Sequence, residues 1–586
     1  MTLSGQPSAL ALRYLISIVL GVSLAQAAAA QSTPQVSPGA AQPLPPATAP
    51  VTHPVDESLL SVPPIVDRPL GVDEGPKIHV TRFKLTGAGN HPHESLSVAD
   101  FQKLLDDALR AQTVEGYTVN QMQAIAGKIA LAYRAKGFVL AQAFVPAQDV
   151  HNGEVEVRVL EGKLGAVRVE GNKHYRTSTL QAPFNGVRGQ AVSQNDVEAR
   201  LLRLSDYPGL TVFGVFTPGK AVGDSDLVLK VQREKPLDFS IGADNFGNPF
   251  NGEYRGRVGF AWNDPLGIGD RFQASFLKAR SSGSSSTGAD TKFYSADYRV
   301  PFAAGRAALD ADYSKNDYAA GGALNGLIFG LAKIGEVGVE VETSRSRLGR
   351  SYVFLKGASK RGELSEPTGT QTERLGSGEL GFAIDRTDRG ANGRWMAQIS
   401  ALHGSNSVKG LATIRASSDS SYNVGRFDVQ RIQRLAPFQN LRFKLAGQVT
   451  SNGLPTLEQS ALGGPNSVRA YEVAHFVADK SLSGTAEWYI GAPGFASSIG
   501  PGKHPWGQLL QFVVFYDIAK GWLNNPLPAE IANRELKGAG VGLAFNLPGR
   551  FYMRIDASKA MSPEATDKSS VYFKSTRIYG SFGLTF

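Results

Sequence analysis

The sequence predicts a mainly β protein: a 16-stranded antiparallel transmembrane β-barrel preceded by two small α/β modules of β-α-α-β-β order. Three observations predict it. From residue 236 onward the chain is Gly-rich and alternates apolar with polar residues, as strands do when one face meets lipid and the other a lumen. Between 77 and 235 helical and strand periodicities follow one another in two copies of one unit. No run of 18 or more apolar residues follows the first 30 positions, which excludes helical spans but not barrel strands.

Residues 1–30 read as a secretory signal. Arg13 supplies the charge, Tyr14 to Leu24 the apolar stretch, and Ala25-Gln26-Ala27 a small-residue cleavage pattern. Residues 31–76 are a Pro-rich linker. Its prolines remove donors and fix φ, so no helix or sheet is expected to persist from 31 to 70. Only Asp56–Leu60 could start a helical turn, and so short a helix is marginal alone. A pore-plugging helix is therefore expected to be absent, or short and loosely held.

The first module covers 77–162. Ile78, Val80, Phe83 and Leu85 predict a strand. Val98–Arg110 predicts a helix with Ser97 as N-cap, and Met122, Ile125, Ile129 and Tyr133 a second one ending at Gly137. Strands follow at 138–145 and 154–160. The second module, 163–235, repeats the order: Val167, Val169 and Gly171 echo Phe83, Leu85 and Gly87. Helices are predicted at 177–184 and 193–204, and strands at 209–217 and 224–233.

The barrel region, 236–586, carries sixteen predicted strands: 237–247, 253–263, 270–279, 291–300, 305–314, 334–345, 349–357, 376–386, 393–403, 420–431, 439–450, 483–492, 508–519, 536–546, 550–558 and 576–586. The last alternates most cleanly, with Ile578, Gly580, Phe582, Leu584 and Phe586 on one face. Connections on the module side are short, as at 264–269, 301–304, 387–392 and 547–549. Those on the other side are longer, including 315–333, 358–375 and 451–482. Two depart from this rule: 493–507 is long for its side and 248–252 short. A soluble solenoid or propeller would need a fixed repeat, and none is visible here.

Composition narrows the chemistry. Absence of Cys excludes disulfides, thiol catalysis and Cys-ligated metals. A formal charge of +9 over 586 residues allows an anionic partner without demanding nucleic acid. There is no nucleophile elbow, no His-Glu-x-x-His and no phosphate-binding Gly-rich loop. His91 and His93 sit in a predicted loop and do not make a metal site. The expectation is a protein that is not an enzyme, with no catalytic residues, no metal and no cofactor.

The stretches Tyr133-Arg134-Ala135-Lys136-Gly137-Phe138, Ala143-Phe144-Val145-Pro146-Ala147-Gln148, Gly153-Glu154-Val155 and Val159-Leu160-Glu161-Gly162 resemble the first polypeptide-transport-associated (POTRA) domain of two-partner secretion transporters. In the longest connection, Val468-Arg469-Ala470-Tyr471 is similar to that family's Val-Arg-Gly-Tyr loop motif. Phe515-Tyr516-Asp517-Ile518-Ala519 is similar to its Phe-x-Asp-x-Gly strand motif, with Ala for Gly in both. The resemblance implies that the loop folds into the lumen and that Arg469 meets Asp517, supported by Val468, Tyr471 and Phe515. Charge chemistry agrees: a guanidinium pairs with a carboxylate in a fixed fork, and a long loop in a wide lumen needs an anchor.

The resemblance implies an outer-membrane translocation pore with periplasmic POTRA domains. Its partner would be a large, unfolded, β-rich secreted exoprotein, caught partly by strand addition to an open sheet edge. It further implies contact with outer-membrane lipid, insertion by the barrel assembly machinery, no nucleic-acid partner, and a monomer. The alternatives are an assembly factor that inserts other barrels, which usually carries more modules, and a passive porin, which needs neither modules nor an Arg–Asp lock.

Overall fold

The computed structural model describes residues 60–61 and 75–586 except 192, 249, 282–287, 529, 562 and 565–573. The expected signal and most of the linker lie outside the described residues. One piece of the linker is described, and it corrects the expectation. Leu60–Ser61 is a short strand, β1, paired in parallel with a strand of the second module. The proline-free window between Pro54 and Pro63 leaves its backbone donors intact.

The first module packs strands β2 (Arg82–Thr86), β3 (Gln142–Phe144) and β4 (Glu154–Leu160) in the order β2-β4-β3. Helices α1 (Val98–Arg110) and α2 (Val119–Ala135) cover the sheet. Ser97 caps α1 by accepting from the Asp100 amide, and Thr118 with Gln121 forms a reciprocal capping box on α2. The apolar stripe Met122, Ile125, Ile129 and Tyr133 is buried against Val155, Val157 and Val159. The strand expected from 138 shortens to Gln142–Phe144, because Phe138 and Ala141 turn into the core.

That core has a polar centre. Glu161 Oε1 accepts from the Gly89 amide (2.6 Å) and from the Tyr133 hydroxyl (2.7 Å), and lies 2.8 Å from His91 Nε2. Burial pushes the Glu161 carboxyl up, but its bonds with His91, Tyr133 and Gly89 outweigh burial and hold it below the usual carboxylate range.

The second module contains β5 (Lys163–Glu170), α3 (Thr177–Gln181), α4 (Gln194–Ser205), β6 (Leu210–Pro218) and β7 (Asp224–Glu234). Its sheet runs β1-β6-β7-β5. It docks on the barrel base. Arg203 Nε donates to Glu342 (2.7 Å), Arg345 to Asp206 (2.6 Å) and Thr179 to the Gly267 carbonyl (2.7 Å).

The barrel closes. Its strands are β8 (Leu237–Asp244), β9 (Tyr254–Asn263), β10 (Arg271–Arg280), β11 (Asp290–Phe302), β12 (Ala307–Ala319), β13 (Phe329–Ser346), β14 (Gly349–Glu366), β15 (Gly369–Asp388), β16 (Gly393–Asn406), β17 (Ser421–Ala436) and β18 (Gln439–Val449). Inside the next connection β19 (Ser460–Leu462) pairs with β20 (Phe476–Ala478). The wall resumes with β21 (Lys480–Gly491), β22 (Leu510–Trp522), β23 (Asn533–Leu547), β24 (Phe551–Ala560) and β25 (Thr576–Thr585). The last strand pairs antiparallel with β8, so all sixteen wall strands share one edgeless sheet. Outward residues such as Phe239, Val258, Val337, Leu380, Phe512, Val541, Ile578 and Phe582 are exposed and form the lipid-facing belt.

Two connections differ from expectation. Residues 358–375, read as a loop, are strand except at the two-residue turn Pro367-Thr368, and much of 315–333 likewise extends β12 and β13. Alternation continues past the membrane there, and the polar outward residues hid it. The long connection 492–509 is folded, not slack: it ends in helix α5 (Trp506–Leu509), and Trp506 packs on Phe495 and on the Phe545 ring of β23. The short connection closes on itself, Asn248 Oδ1 accepting from the Phe250 and Asn251 amides.

The polar centre of the first module predicts a measurable weakness. Glu161→Ala removes the charged acceptor of the Gly89 amide and the Tyr133 hydroxyl and leaves them only their longer contacts with each other (3.3 and 3.4 Å), costing about 2 kcal/mol. Hydrogen exchange of α2 and β4 in the full chain should rise roughly thirtyfold, with barrel strands unchanged. Because the Glu161 pKa is depressed on folding, its contribution is complete above the unfolded carboxylate range and is lost as pH falls through the folded value. The wild-type module should therefore loosen in acid, and the variant should lack this dependence.

Candidate functional site

The connection between β18 and β21 leaves the wall and enters the lumen. Its hairpin, β19 with β20, presents a tight tip. The Gly464 amide donates to both the Val468 and Tyr471 carbonyls (3.1 Å each). Gly463 and Gly464 have φ of 99° and 88°, and a Cβ on Gly464 would lie 2.7 Å from Val473. Only glycine fits that backbone.

The tip meets the wall at β22. Alternation along β22 turns Phe515, Asp517 and Ala519 inward, while Tyr516 and Ile518 face lipid. The motif spacing is thus one face of one strand. Arg469 Nε donates to Asp517 Oδ2 (2.8 Å), its Nη2 to Oδ1 (2.7 Å) and its backbone amide to Oδ2 (3.1 Å). The fork is bidentate and fully enclosed: Arg469 is 3% exposed and Asp517 0%. The guanidinium carbon sits 3.4 Å from the Phe515 ring centroid, a desolvated cation–π contact.

All the residues singled out from the sequence come together here. Val468 and Tyr471 are buried in the apolar cluster beside the fork, with Ala470, Ala519 and Leu536. The Tyr471 carbonyl accepts from the Tyr579 hydroxyl of β25 (2.8 Å), and the Arg469 carbonyl from Ser558 of β24 (2.7 Å). The Ala470 methyl has its complement on the wall: a Cβ on Gly538 would lie 2.6 Å from the Ala470 Cβ. The methyl absent from position 538 makes room for the one present at 470.

The sequence did not reveal how many charges share the site. Arg469 Nη1 also donates to Glu487 Oε1 (2.7 Å) and lies 3.6 Å from Asp556. Arg554 donates to Glu487 and to Asp556 (2.8 Å each), Arg442 reaches Glu487 at 3.3 Å, and Tyr489 donates to Glu487 (2.9 Å). Three guanidinium groups face three carboxylates, so the buried cluster is neutral. The added residues come from β18, β21 and β24, and no local pattern marks them.

A second anchor holds the base of the loop. Arg415, from the connection between β16 and β17, donates to Asp479 Oδ1 (2.7 Å), to the Leu454 carbonyl (3.0 Å) and to the Asn524 carbonyl (3.1 Å). Three outer connections converge on that one side chain. Glu373 accepts from the Thr456 amide and hydroxyl, and Glu458 pairs with Lys360 and Arg426. Among the described residues no group of acidic and His side chains could hold a metal ion.

Comparison with known proteins bears on this arrangement. Residues 78–162 match the family model of the ShlB-type POTRA domain, and 223–336 that of the haemolysin secretion/activation protein ShlB/FhaC/HecB. The chain is 27% identical over 247 residues to the outer membrane transporter CdiB of Escherichia coli O6:K15:H31, covering 42% of this chain and 39% of that one. It is 24% identical over 164 residues to the heme/hemopexin transporter protein HuxB of Haemophilus influenzae 86-028NP, covering 28% of this chain and 29% of that one. These alignments span well under half of either relative. The solved structure of CdiB from Escherichia coli superposes with a TM-score of 0.66 at 17% identity, covering 100% of both chains, which establishes a shared fold.

The fit of loop tip to wall generates a prediction. Gly538→Ala drives a methyl into Ala470 and should weaken docking of the tip by about 1–3 kcal/mol. Ala470→Gly in the same chain should restore it. Protease cleavage of the loop in folded, detergent-solubilised protein should rise in the single variant and return to the wild-type rate in the double.

Proposed function

We propose that this protein, of the two-partner secretion transporter type in sequence and fold, is an outer-membrane pore that exports a large, unfolded, β-rich exoprotein. The barrel lies in the bacterial outer membrane and the POTRA modules in the periplasm. In this reading 77–162 and 163–235 are the client-catching modules and 236–586 the conduit. The protein works as a monomer, without catalysis, metal or nucleic acid, in contact with outer-membrane lipid after insertion by the barrel assembly machinery.

The observation that carries the reading is the loop tip locked across the lumen by Arg469 and Asp517. A passive porin gains nothing from a lumenal loop held by a buried, charge-balanced cluster. A translocation pore does, because the lumen must stay sealed until a client arrives. The fork is a releasable device: its donors are the side chain and amide of Arg469 on a loop and its acceptor is the Asp517 side chain on a wall strand, so the tip can leave without breaking the barrel ladder. The client then threads outward and folds outside, which can supply direction without ATP.

The lock generates two linked expectations. Breaking a buried pair costs about 3–5 kcal/mol when one partner is left bare. Arg469→Ala leaves Asp517 with no cation, whereas Asp517→Ala leaves Arg469 still bonded to Glu487. Both should cut client secretion strongly with near-normal barrel assembly, Arg469→Ala at least as severely. The double variant should be little worse than Arg469→Ala. Secreted client measured for all three decides it; additive losses, or full secretion by either single variant, would refute the lock. Deleting 77–162 should abolish secretion while the barrel remains in the outer membrane. Normal export by that truncation would remove the first module from client recognition.

A further inference from the structure

Strand register lines up four cations on the outer half of the barrel. Lys315 of β12 lies directly opposite Lys333 of β13, Lys333 opposite Arg361 of β14, and Arg361 opposite Arg374 of β15. All four point away from the lumen. Each stands an even number of residues from an exposed apolar side chain of its own strand, Tyr313, Val337, Leu355 and Leu380 respectively, and even spacing keeps one face. The second module holds the opposite end of β13 at Glu342 and Arg345, so the row lies toward the outer connections. At about 3.3 Å per residue and a tilt of about 45°, Arg374 stands roughly 14 Å above Leu380, at the outer margin of the apolar belt.

Like charges directly opposite one another weaken a sheet. Asp317 pairs with Lys315 (2.6 Å) and Glu363 with Arg361. Among the described residues the side chains of Lys333 and Arg374 have neither a hydrogen bond nor an ion pair. Two carboxylates answer only two of the four cations, and the repulsion along the row is relieved by an anion from outside. Membrane-ward of the row the wall is bare. Gly335 and Gly376 in the next outward row, and Gly357 and Gly378 in the one after it, have open space where a Cβ would stand. This floor runs into a groove of about 670 Å³ on the outer face of β14 to β18, with Leu355, Gly378, Leu380, Ala401, Gly425 and Val449 along it. A charged row thus borders an apolar trough.

We propose that the row Lys315, Lys333, Arg361 and Arg374, with the trough beneath it, is a binding site for a phosphorylated, multiply acylated glycolipid of the outer leaflet, of the lipid A class. Phosphate oxygens meet the two cations that lack partners, Arg374 as a fork and Lys333 as a point charge, and acyl chains lie along the glycine floor and the groove. Three strand spacings of about 4.8 Å make the row roughly 14 Å long. That length suits a headgroup with two separated phosphates, and a single phosphodiester fills only part of it. The site belongs to the outer surface of the wall, apart from the lumen, and its test needs no client.

The probe is fluorophore-labelled, bisphosphorylated hexa-acyl lipid A, titrated with the purified full-length chain in nonionic detergent and followed by anisotropy. Lys333→Gln with Arg374→Gln should weaken binding about tenfold or more. Gly378→Phe fills the trough and leaves every charge in place, and it should weaken binding about fivefold. Lipid A stripped of its phosphates should bind wild type about tenfold more weakly. Phosphatidylglycerol and inorganic phosphate, each at the concentration of the probe, should not compete. Equal binding by wild type and either variant, equal binding of the stripped lipid, or competition by phosphatidylglycerol or inorganic phosphate would overturn the proposal. Thermal unfolding separates lost binding from lost folding. Without lipid the Lys333→Gln, Arg374→Gln chain should melt at or above the wild-type temperature, because opposed like charges are gone. Added lipid A should raise the wild-type Tm and leave that of the double variant nearly unchanged. A lipid-free double variant that melts below wild type, or an equal rise in both chains, would assign the row a structural role and overturn the proposal.

Discussion

The bidentate pair between Arg469 and Asp517 is the interaction on which the lumenal arrangement depends. A charge enclosed by protein cannot be left alone: its desolvation cost must be offset by a partner of opposite sign in good geometry. This demand spreads outward from the fork. Arg469 has a donor left over after meeting Asp517, and Glu487 takes it. Glu487 in turn draws in Arg554 and Arg442, and Arg554 draws in Asp556. The result is a neutral cluster that joins a loop to β18, β21, β22 and β24.

Shape works with charge. The tip approaches the wall closely because Gly538 has no side chain, and the tip turns sharply because Gly463 and Gly464 accept positive φ. The base of the loop is tied by other means, through Arg415 and Asp479 at the outer connections and through Glu373 and Glu458 within the barrel. Tip and base are therefore independent attachments.

At the opposite end of the molecule, the second module docks through ion pairs, the Thr179 hydrogen bond to the Gly267 carbonyl, and the buried Tyr207 ring set against Gly269 and Gly305. Arg203 with Glu342, Arg345 with Asp206 and Arg347 with Glu198 join α4 to β13 and the turn after it. Each pair has at least one largely buried member, so salt screens it less than an exposed pair, and together they set the module's orientation. The first module takes its coherence from within, around Glu161. Tyr133, Glu161 and Gly162, which carried the resemblance in the sequence, are structural: two supply the polar centre, and Gly162 has a φ of 80° with a Cβ position 2.4 Å from Leu140.

Local pattern by itself determined the sixteen strands, the two β-α-α-β-β units and the helix cap at Ser97, and the resemblance of two short motifs to those of a known family supplied the pairing of Arg469 with Asp517. Each is written in periodicity or in a short motif whose spacing equals a strand's two-residue repeat. Tertiary structure alone decided the rest. Glu487, Arg554, Asp556 and Arg442 are ordinary inward residues of alternating strands, and only barrel closure brings them to one point. Arg415 reads as a solvated loop charge until three outer connections converge on it. The hairpin over 358–375 was hidden because strand beyond the membrane loses its apolar face, the one signal that marks a barrel strand. Leu60 lay in a stretch read as structureless, because its partner is an edge strand some 150 residues away; pairing at that distance leaves no trace in the local sequence, only a backbone ladder.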